Sequence, residues 1–212
     1  MMIGAYPGTF NPPTVAHLAI AEAAWRQGGL DRVDLVLSRS PLGKDPSVPS
    51  FQHRLEVLEA VAANRPWLVV TVTDKRLIAD VATGYDAVIM GTDKWIQVCD
   101  PAWYGGSIES RDAAVARLPR LFIVQRPGFD AVPARPDTAL CLVVDEDHAG
   151  VSSSRARTGR SEWMLPEAVA FDEATGAWSH PDRYLASQFG SGGVTPPAAH
   201  PSPVPNPGCN VC

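Results

Sequence analysis

The start of the chain passes from an apolar run through a turn to a helical pattern. Residues 1–6 are apolar and uncharged, which predicts a strand buried on both faces of a sheet. From Leu18 to Trp25 apolar residues recur at helical spacing, until Gly28 and Gly29 stop the pattern. The sequence therefore predicts a strand, a turn rich in glycine and proline, and a helix in direct succession.

The same alternation continues along the chain. Short β-branched or apolar runs predict further strands at 32–37, 67–73, 87–90, 121–125 and 139–144. Helical patterns separate most of them, at 50–64, 75–83 and 110–118, and a further one follows residue 152. This order is typical of an α/β fold, a Rossmann-like open parallel sheet with helices on both faces, which binds ligands at the carboxyl ends of its strands.

The composition changes abruptly near the end of the chain. We expect one domain over residues 1–189 and a Pro/Gly-rich tail over 190–212, whose composition favours a disordered or extended segment. The tail carries Cys209 and Cys212, which are too few to close a zinc site. Cys99 and Cys141 lie in apolar surroundings and are predicted to be buried free thiols.

Charge and length limit the classes of partner. The 212 residues are 45% hydrophobic, enough for one sizeable core, and their formal net charge is -5. An acidic chain without a long basic run argues against nucleic acid or an anionic membrane surface as the main partner. No apolar run is long enough to span a bilayer, so we expect a cytoplasmic protein with a small ligand. A homo-oligomeric state stays open.

The turn after the first predicted strand, residues 8–14, is a candidate phosphate site. A helix start presents unpaired N–H groups and the positive end of its dipole, both of which attract anions. Thr14 and His17 are three residues apart, so their side chains lie on one helix face and can donate to one phosphoryl oxygen. The alternative is that Thr14 only caps the helix and His17 is a partly buried histidine.

A second candidate phosphate site lies at residues 151–157. Three consecutive serines open a predicted helix that carries Arg155 and Arg157. Serine hydroxyls and helix-start amides bind phosphate oxygens, and arginine can bind a polyphosphate through two nitrogens. The alternative is a serine cap followed by arginines that face solvent.

Several single residues are weaker candidates. Lys44 follows the second predicted strand and either contacts a phosphate or is solvated. Gly91 permits close approach of a ligand to the backbone, and Asp93 either binds a sugar hydroxyl or caps the next helix. Arg54 lies in the first turns of a helix and faces either ligand or solvent.

Aromatic residues follow the fourth predicted strand. Trp95, Trp103 and Tyr104 lie on a predicted helix end and loop, where an aromatic side chain can stack on a flat ring. The alternative is that they only attach the loop to the core.

Together these stretches resemble the nicotinate or nicotinamide mononucleotide adenylyltransferases of the nucleotidylyltransferase superfamily. Gly8-Thr9-Phe10-Asn11-Pro12, followed by Thr14 and His17, is similar to that family's Gly-x-Phe-x-Pro and His-x-x-His signature. Residues 151–157 are similar to its Ile-Ser-Ser-Thr-x-Ile-Arg signature. The resemblance spans most of the chain.

The resemblance implies a nucleotidylyltransferase fold and adenylyl transfer. The phosphate of a pyridine mononucleotide would attack the α-phosphorus of ATP, pyrophosphate would leave, and Mg²⁺ would bridge the phosphates. The partners implied are ATP and a small phosphorylated acceptor. His17 would be the principal donor to the transferring group, Thr14 would assist, and Arg157 and Lys44 would contact the polyphosphate.

The resemblance also implies binding residues. The nucleotide would contact Gly8, Thr9, Phe10, Gly91, Asp93, Ser152 and Ser153, with Asp93 near the ribose. Trp103 would stack on the pyridine ring of the acceptor, and Arg54 is a further candidate for contact with the acceptor. No metal ligands are expected from the protein.

The sequence departs from the family pattern at three places. Thr14 stands where histidine is usual, Ala156 replaces isoleucine, and the region between Lys75 and Asp86 lacks the Ser-Tyr-Thr-type segment that helps bind the pyridine carboxylate. Two alternatives therefore stay open: cytidylyl or adenylyl transfer to another phosphorylated acceptor, and a catalytically weak nucleotide-binding protein. A class I aminoacyl-tRNA synthetase is set aside, because the chain is short and acidic and lacks the second lysine-rich loop.

Overall fold

A computed structural model describes residues 1–42, 48–129 and 139–189 of the chain. The predicted phosphate contact Lys44 lies outside the described residues. So do the predicted tail at 190–212 and its two cysteines. Among the described residues, no helix is both long and apolar enough to cross a membrane.

The described residues form a six-stranded sheet in which all neighbouring strands are parallel. The strands are β1 Ile3–Gly8, β2 Arg32–Ser38, β3 Leu68–Thr73, β4 Ala87–Gly91, β5 Arg120–Val124 and β6 Ala139–Leu142. Their order across the sheet is β3-β2-β1-β4-β5-β6. The predicted open parallel α/β sheet is therefore confirmed.

Eight α-helices surround the sheet within the described ranges. They are α1 Val15–Gly28, α2 Phe51–Ala62, α3 Ile78–Val81, α4 Thr92–Cys99, α5 Ile108–Ala116, α6 Ser153–Arg157, α7 Pro166–Thr175 and α8 Pro181–Phe189. Short 3₁₀ turns cover Pro101–Tyr104, Glu146–His148 and Ser161–Trp163.

The core lies on both faces of the sheet because the central strands alternate between two apolar clusters. In β4, Ala87 and Ile89 pack with α1 and α2, whereas Val88 and Met90 pack with α4 and α5. Such alternation follows from the two-residue period of a strand. The end of α1 approaches closely, since a Cβ on Gly28 would lie 2.1 Å from the ring of Phe122.

Helix α8 was not predicted from the sequence, because few of its side chains are buried. Tyr184 is 2% exposed, and its hydroxyl accepts a hydrogen bond from the backbone N–H of Ser50 at 2.9 Å. The same hydroxyl lies 2.8 Å from Nδ1 of His53. One aromatic residue thus attaches α8 to the start of α2.

One prediction of burial was wrong, and one alternative drawn from the sequence is decided. Cys141 is exposed, because β6 is an edge strand and its neighbours Leu140 and Leu142 pack on the core while Cys141 points to the opposite side. Trp95 fits the alternative that it attaches its segment to the core, because it is 2% exposed and packs between α4 and the sheet. Cys99 is partly buried, and burial raises the pKa of its thiol.

Candidate active site

The candidate site lies where the strand order reverses. Strands β1 and β4 are neighbours, and the chain leaves their carboxyl ends toward different sides of the sheet. The loop after β1 meets the stretch that begins α6, because the hydroxyl of Ser153 donates a hydrogen bond to the carbonyl of Pro12 at 2.8 Å. The two signature stretches, far apart in sequence, therefore form one site at the crevice where such sheets bind ligands.

The loop after β1 is held from below by buried polar side chains. Arg54 is 2% exposed and its Nη1 donates to the carbonyl of Thr9 at 3.0 Å. Asn11 is 8% exposed, its Nδ2 donates to the carbonyl of Val48 at 3.1 Å, and its Oδ1 accepts from the indole N–H of Trp178. Residues from α2 and from the segment after α7 thus fix the loop.

The position of Arg54 differs from both alternatives drawn from the sequence. Its side chain faces neither solvent nor either cavity described below, but lies buried beneath the loop. Burial lowers the pKa of the guanidinium, which nevertheless stays charged at neutral pH. A buried charge of this kind needs a hydrogen-bond acceptor, and the Thr9 carbonyl supplies it. The direct acceptor contact expected for Arg54 is therefore corrected to a position under the loop.

Thr14 and His17 are in direct contact at the start of α1. Thr14 is fully buried, its backbone N–H donates to Nδ1 of His17 at 3.0 Å, and its hydroxyl oxygen lies 2.8 Å from the same nitrogen. Because a backbone N–H can only donate, Nδ1 must be an acceptor, and the proton of the neutral imidazole is on Nε2. Thr14 thus fixes the tautomer of His17.

The ring of His17 is also held by aromatic contacts. Phe10 is 1% exposed, and its ring centre lies 5.1 Å from that of His17 and 5.7 Å from that of Tyr6. Phe10 is therefore part of the support of His17 and not of the cavity wall. Burial raises the pKa of the Tyr6 hydroxyl, so Tyr6 is neutral at physiological pH.

A cavity of about 520 Å³ opens between the two signature stretches. Predicted site residues that line it are Gly8, Thr9, Thr14, His17, Gly91, Asp93, Ser152, Ser153 and Arg157. Arg157 donates from Nη1 to the carbonyl of Asn11, and partial burial lowers the pKa of its guanidinium without discharging it. The structure thus brings most of the predicted nucleotide contacts to one cavity.

Two basic residues on this wall were missed as candidate site residues. Arg126 lies two residues after the end of β5, and its Nη2 donates to the carbonyl of Val151 at 2.9 Å. Lys94 is in the first turn of α4. The signal that points to Arg126 is its place at the carboxyl end of a strand next to the reversal of strand order.

A smaller cavity of about 110 Å³ lies on the other side of the β1 loop. It shares Pro7, Gly8, Thr9 and Lys94 with the larger cavity, so the two cavities meet at the end of β1. The predicted ring-stacking residue Trp103 lines only the smaller cavity, together with Tyr104. The Tyr104 hydroxyl donates to the carbonyl of Val98 at 2.9 Å and so attaches this loop to α4.

Acidic side chains are sparse at the site. Among the described residues, no group of three or more His, Cys, Asp or Glu side chains could hold a metal ion. On the described wall of the larger cavity, Asp93 is the one carboxylate.

Comparison with known proteins shows the family of the chain. The family model described as Cytidylyltransferase-like matches residues 5–159, which include most of β1, all of β2 to β6 and both signature stretches. The chain belongs to the cytidylyltransferase-like family. The predicted resemblance to the nucleotidylyltransferases is thereby confirmed, and the chain is a nucleotidyltransferase.

The names of individual relatives of this cytidylyltransferase-like chain specify an activity more narrowly than the family model does. It is 30% identical over 189 residues to the "Probable nicotinate-nucleotide adenylyltransferase" of Salinibacter ruber, covering 80% of this chain and 93% of the relative. A protein of the same name from Anaeromyxobacter dehalogenans is 30% identical over 184 residues, covering 76% and 88%.

The fold also matches a solved structure. Plasmodium falciparum nicotinic acid mononucleotide adenylyltransferase complexed with NaAD superposes with a TM-score of 0.62 at 13% identity. The match covers 84% of this chain and 97% of that protein. At this identity the likeness concerns the fold.

Proposed function

We propose that the chain transfers an adenylyl group from ATP to nicotinate mononucleotide, forming a dinucleotide and releasing pyrophosphate. The observation that carries the proposal is the pair of cavities that meet at the β1 loop, one wide and polar, the other small and lined by Trp103. Two substrates bound in them would place their phosphates together at Gly8 and Thr9. The names of the relatives support ATP as the donor and nicotinate mononucleotide as the acceptor.

In this proposal ATP occupies the larger cavity. Arg157 and the amides of Ser152 and Ser153 bind the β- and γ-phosphates, because helix-start amides and a guanidinium fork suit phosphate oxygens. Gly91 lets the nucleotide approach the backbone, and a Cβ there would lie 2.3 Å from a carboxylate oxygen of Asp93. Asp93 is assigned to the ribose. Lys44 remains a predicted polyphosphate contact.

His17 is assigned to the transferring phosphoryl group. The contact between its Nδ1 and the backbone N–H of Thr14 leaves Nε2 as the protonated nitrogen. A donor fixed in this way stabilises the charge that develops on the phosphoryl oxygens without a cost of reorientation. Thr14 is assigned to positioning this imidazole, a change from the direct assistance implied by the family resemblance.

The donor set fits Mg²⁺ that arrives with the nucleotide. One carboxylate, Asp93, does not form a protein cage, and Mg²⁺ bound by substrate phosphates usually keeps several waters. The ion would neutralise negative charge on the phosphates.

Pyrophosphate release with Mg²⁺ tests the proposal. ATP and CTP are each combined with nicotinate mononucleotide, nicotinamide mononucleotide and other phosphate esters. The expected result is pyrophosphate release that needs both ATP and nicotinate mononucleotide, with the dinucleotide as the second product. A chain that ends at residue 189 should release pyrophosphate at the same rate as the full chain. Turnover with CTP or another ester would favour the first alternative. ATP binding without turnover of any acceptor would favour a nucleotide-binding protein.

A further inference from the structure

We infer that the guanidinium of Arg76 binds the carboxylate on the acceptor's pyridine ring and so sets the preference for the acid over the amide. This inference rests on the proposed function and assigns a specificity residue within it. Arg76 lies in the loop between β3 and α3, at the carboxyl edge of the sheet, and lines the smaller cavity.

The charge on the wall of this cavity has one sign. Three cationic side chains line it, namely Lys75, Arg76 and Lys94, and its described wall contains no Asp or Glu. Much of the remaining wall is apolar, contributed by residues such as Val36, Val81 and Trp103. Cations beside an apolar slot favour a ligand that is flat and anionic, because a buried anion needs a charged partner.

Arg76 differs from the two lysines in its hydrogen bonding. Nζ of Lys75 donates to the carbonyl of Asp80 at 2.9 Å, and Nζ of Lys94 donates to Oε1 of Gln97 at 2.6 Å. Within the part of the chain that the structure describes, no hydrogen bond or ion pair engages the guanidinium of Arg76. Arg76 is exposed, so its five N–H donors are open to a bound ligand.

The residues shared by the two cavities determine which end of a bound acceptor lies next to Arg76. The reacting phosphate must lie where the cavities join, beside Gly8, Thr9 and Lys94. The pyridine ring then lies farther inside the smaller cavity. Arg76 and Trp103 line that part of the smaller cavity, and neither of them lines the larger, nucleotide cavity. Trp103 offers a face for the ring, and Arg76 offers two nitrogens to its substituent.

This pairing discriminates between an acid and an amide. A carboxylate accepts two hydrogen bonds from the guanidinium, with opposite charges in contact. A carboxamide offers one neutral acceptor, and its NH₂ group meets only donors on arginine. The nicotinate form is therefore the favoured acceptor.

The test compares kcat/KM for nicotinate mononucleotide and nicotinamide mononucleotide in four proteins. They are the wild type, Arg76→Gln, Arg76→Lys and the control Arg26→Gln. Arg26 is an exposed arginine of α1 paired with Glu22, and it lines neither cavity. We expect Arg76→Gln to lower kcat/KM for the acid by about tenfold to a hundredfold, the range for loss of a charged hydrogen bond. The amide should change by less than about twofold, since its binding gains little from this charge.

The controls separate a specificity role from a structural one. Arg76→Lys keeps the charge and should recover part of the preference, whereas Arg26→Gln should leave both values as in the wild type. A wild type that prefers the amide, or an Arg76→Gln variant with an unchanged acid-to-amide ratio, would overturn the inference. Equal losses for both acceptors would also overturn it, since they indicate a phosphate contact or a folding defect.

The same data distinguish failure of the inference from failure of the proposed function. If the wild type releases no pyrophosphate with either pyridine mononucleotide, the proposed function is wrong. The inference is then withdrawn with it. If the wild type turns over the acid and only the Arg76→Gln result fails, adenylyl transfer stands and Arg76 is not the carboxylate contact.

Discussion

The larger and the smaller cavity meet at one loop but are built differently. The larger one is tied together across the sequence, with Ser153 bonded to Pro12 and Arg126 to Val151, and its loop rests on buried Arg54. The described wall of the smaller one comes largely from segments after strands, including the loop between β3 and α3 and the 3₁₀ turn at Pro101–Tyr104.

The difference suits two tasks. A transition state needs donors held in fixed geometry, which buried hydrogen bonds across the fold provide. Recognition of an acceptor needs only a few side chains of suitable shape and charge, and surface loops carry these at little cost to the fold. On this basis, changes in the larger cavity should affect turnover or ATP binding, and changes in the smaller one should affect the acceptor alone.

The largest effect is expected for His17→Ala. Loss of a donor used mainly in the transition state should lower kcat by about a hundredfold or more, with little change in ATP affinity. Steady-state kinetics with a separate ATP titration measures both quantities. Near-normal turnover would rule out His17 as the hydrogen-bond donor to the transferring phosphoryl group.

Arg157→Ala should act on nucleotide binding. Loss of a charged contact to the polyphosphate should weaken ATP binding by about tenfold or more, with KM for the acceptor unchanged. Calorimetric titration with ATP measures the affinity, and Arg183→Ala, at an exposed arginine of α8 that lines neither cavity, is the control. An unchanged ATP affinity would refute the polyphosphate assignment.

Trp103→Ala tests the smaller cavity. Loss of a stacking face should raise KM for the acceptor by about fivefold to tenfold, and Trp103→Phe should recover much of the loss. ATP affinity should not change, because Trp103 does not line the larger cavity. If Trp103→Ala weakened the binding of ATP as much as the binding of the acceptor, the assignment of the two substrates to separate cavities would be wrong.

The smallest effect is expected beneath the smaller cavity. Tyr85 packs on Val36 and Val81 of its wall, and its hydroxyl donates to buried Asp34 at 3.1 Å. Tyr85→Phe should lower the free energy of unfolding by about 1 kcal/mol, measured by urea denaturation, because one hydrogen bond to a carboxylate is lost. ATP affinity should stay at the wild-type value, and a change in it would contradict the separation of the cavities.

The same variant has a signature in its pH dependence. Burial, with a further contribution from Asp34, raises the pKa of Tyr85 to about 12 from the ordinary 10.0. The unfolded chain therefore loses this proton first, so the stabilising contribution of Tyr85 is present below pH 10.0 and is lost as pH rises toward 12. The stability of Tyr85→Phe should fall less steeply than that of the wild type over this range.

Local patterns were enough to predict the sheet and the two signature stretches. The central strands are largely buried on both faces, so they appear as short and mainly apolar runs, and Gly28 and Gly29 mark the end of α1. The signatures are local because a helix start and its cap occupy consecutive residues. The prediction of burial failed at Cys141, where burial depends on the neighbouring strands.

The sequence by itself thus determined an open parallel α/β sheet of the nucleotidyltransferase kind, and it predicted a phosphate site at Thr14 and His17. Only the tertiary structure decided that Arg54 is buried under the loop, since its partner Thr9 lies on another element. It alone also brought Arg76 and Trp103 to one wall, because the segments after β3 and β4 meet only when the strands assemble into one sheet. Periodicity reports which face of an element is buried, whereas the partner of a charge depends on contacts between residues distant in sequence.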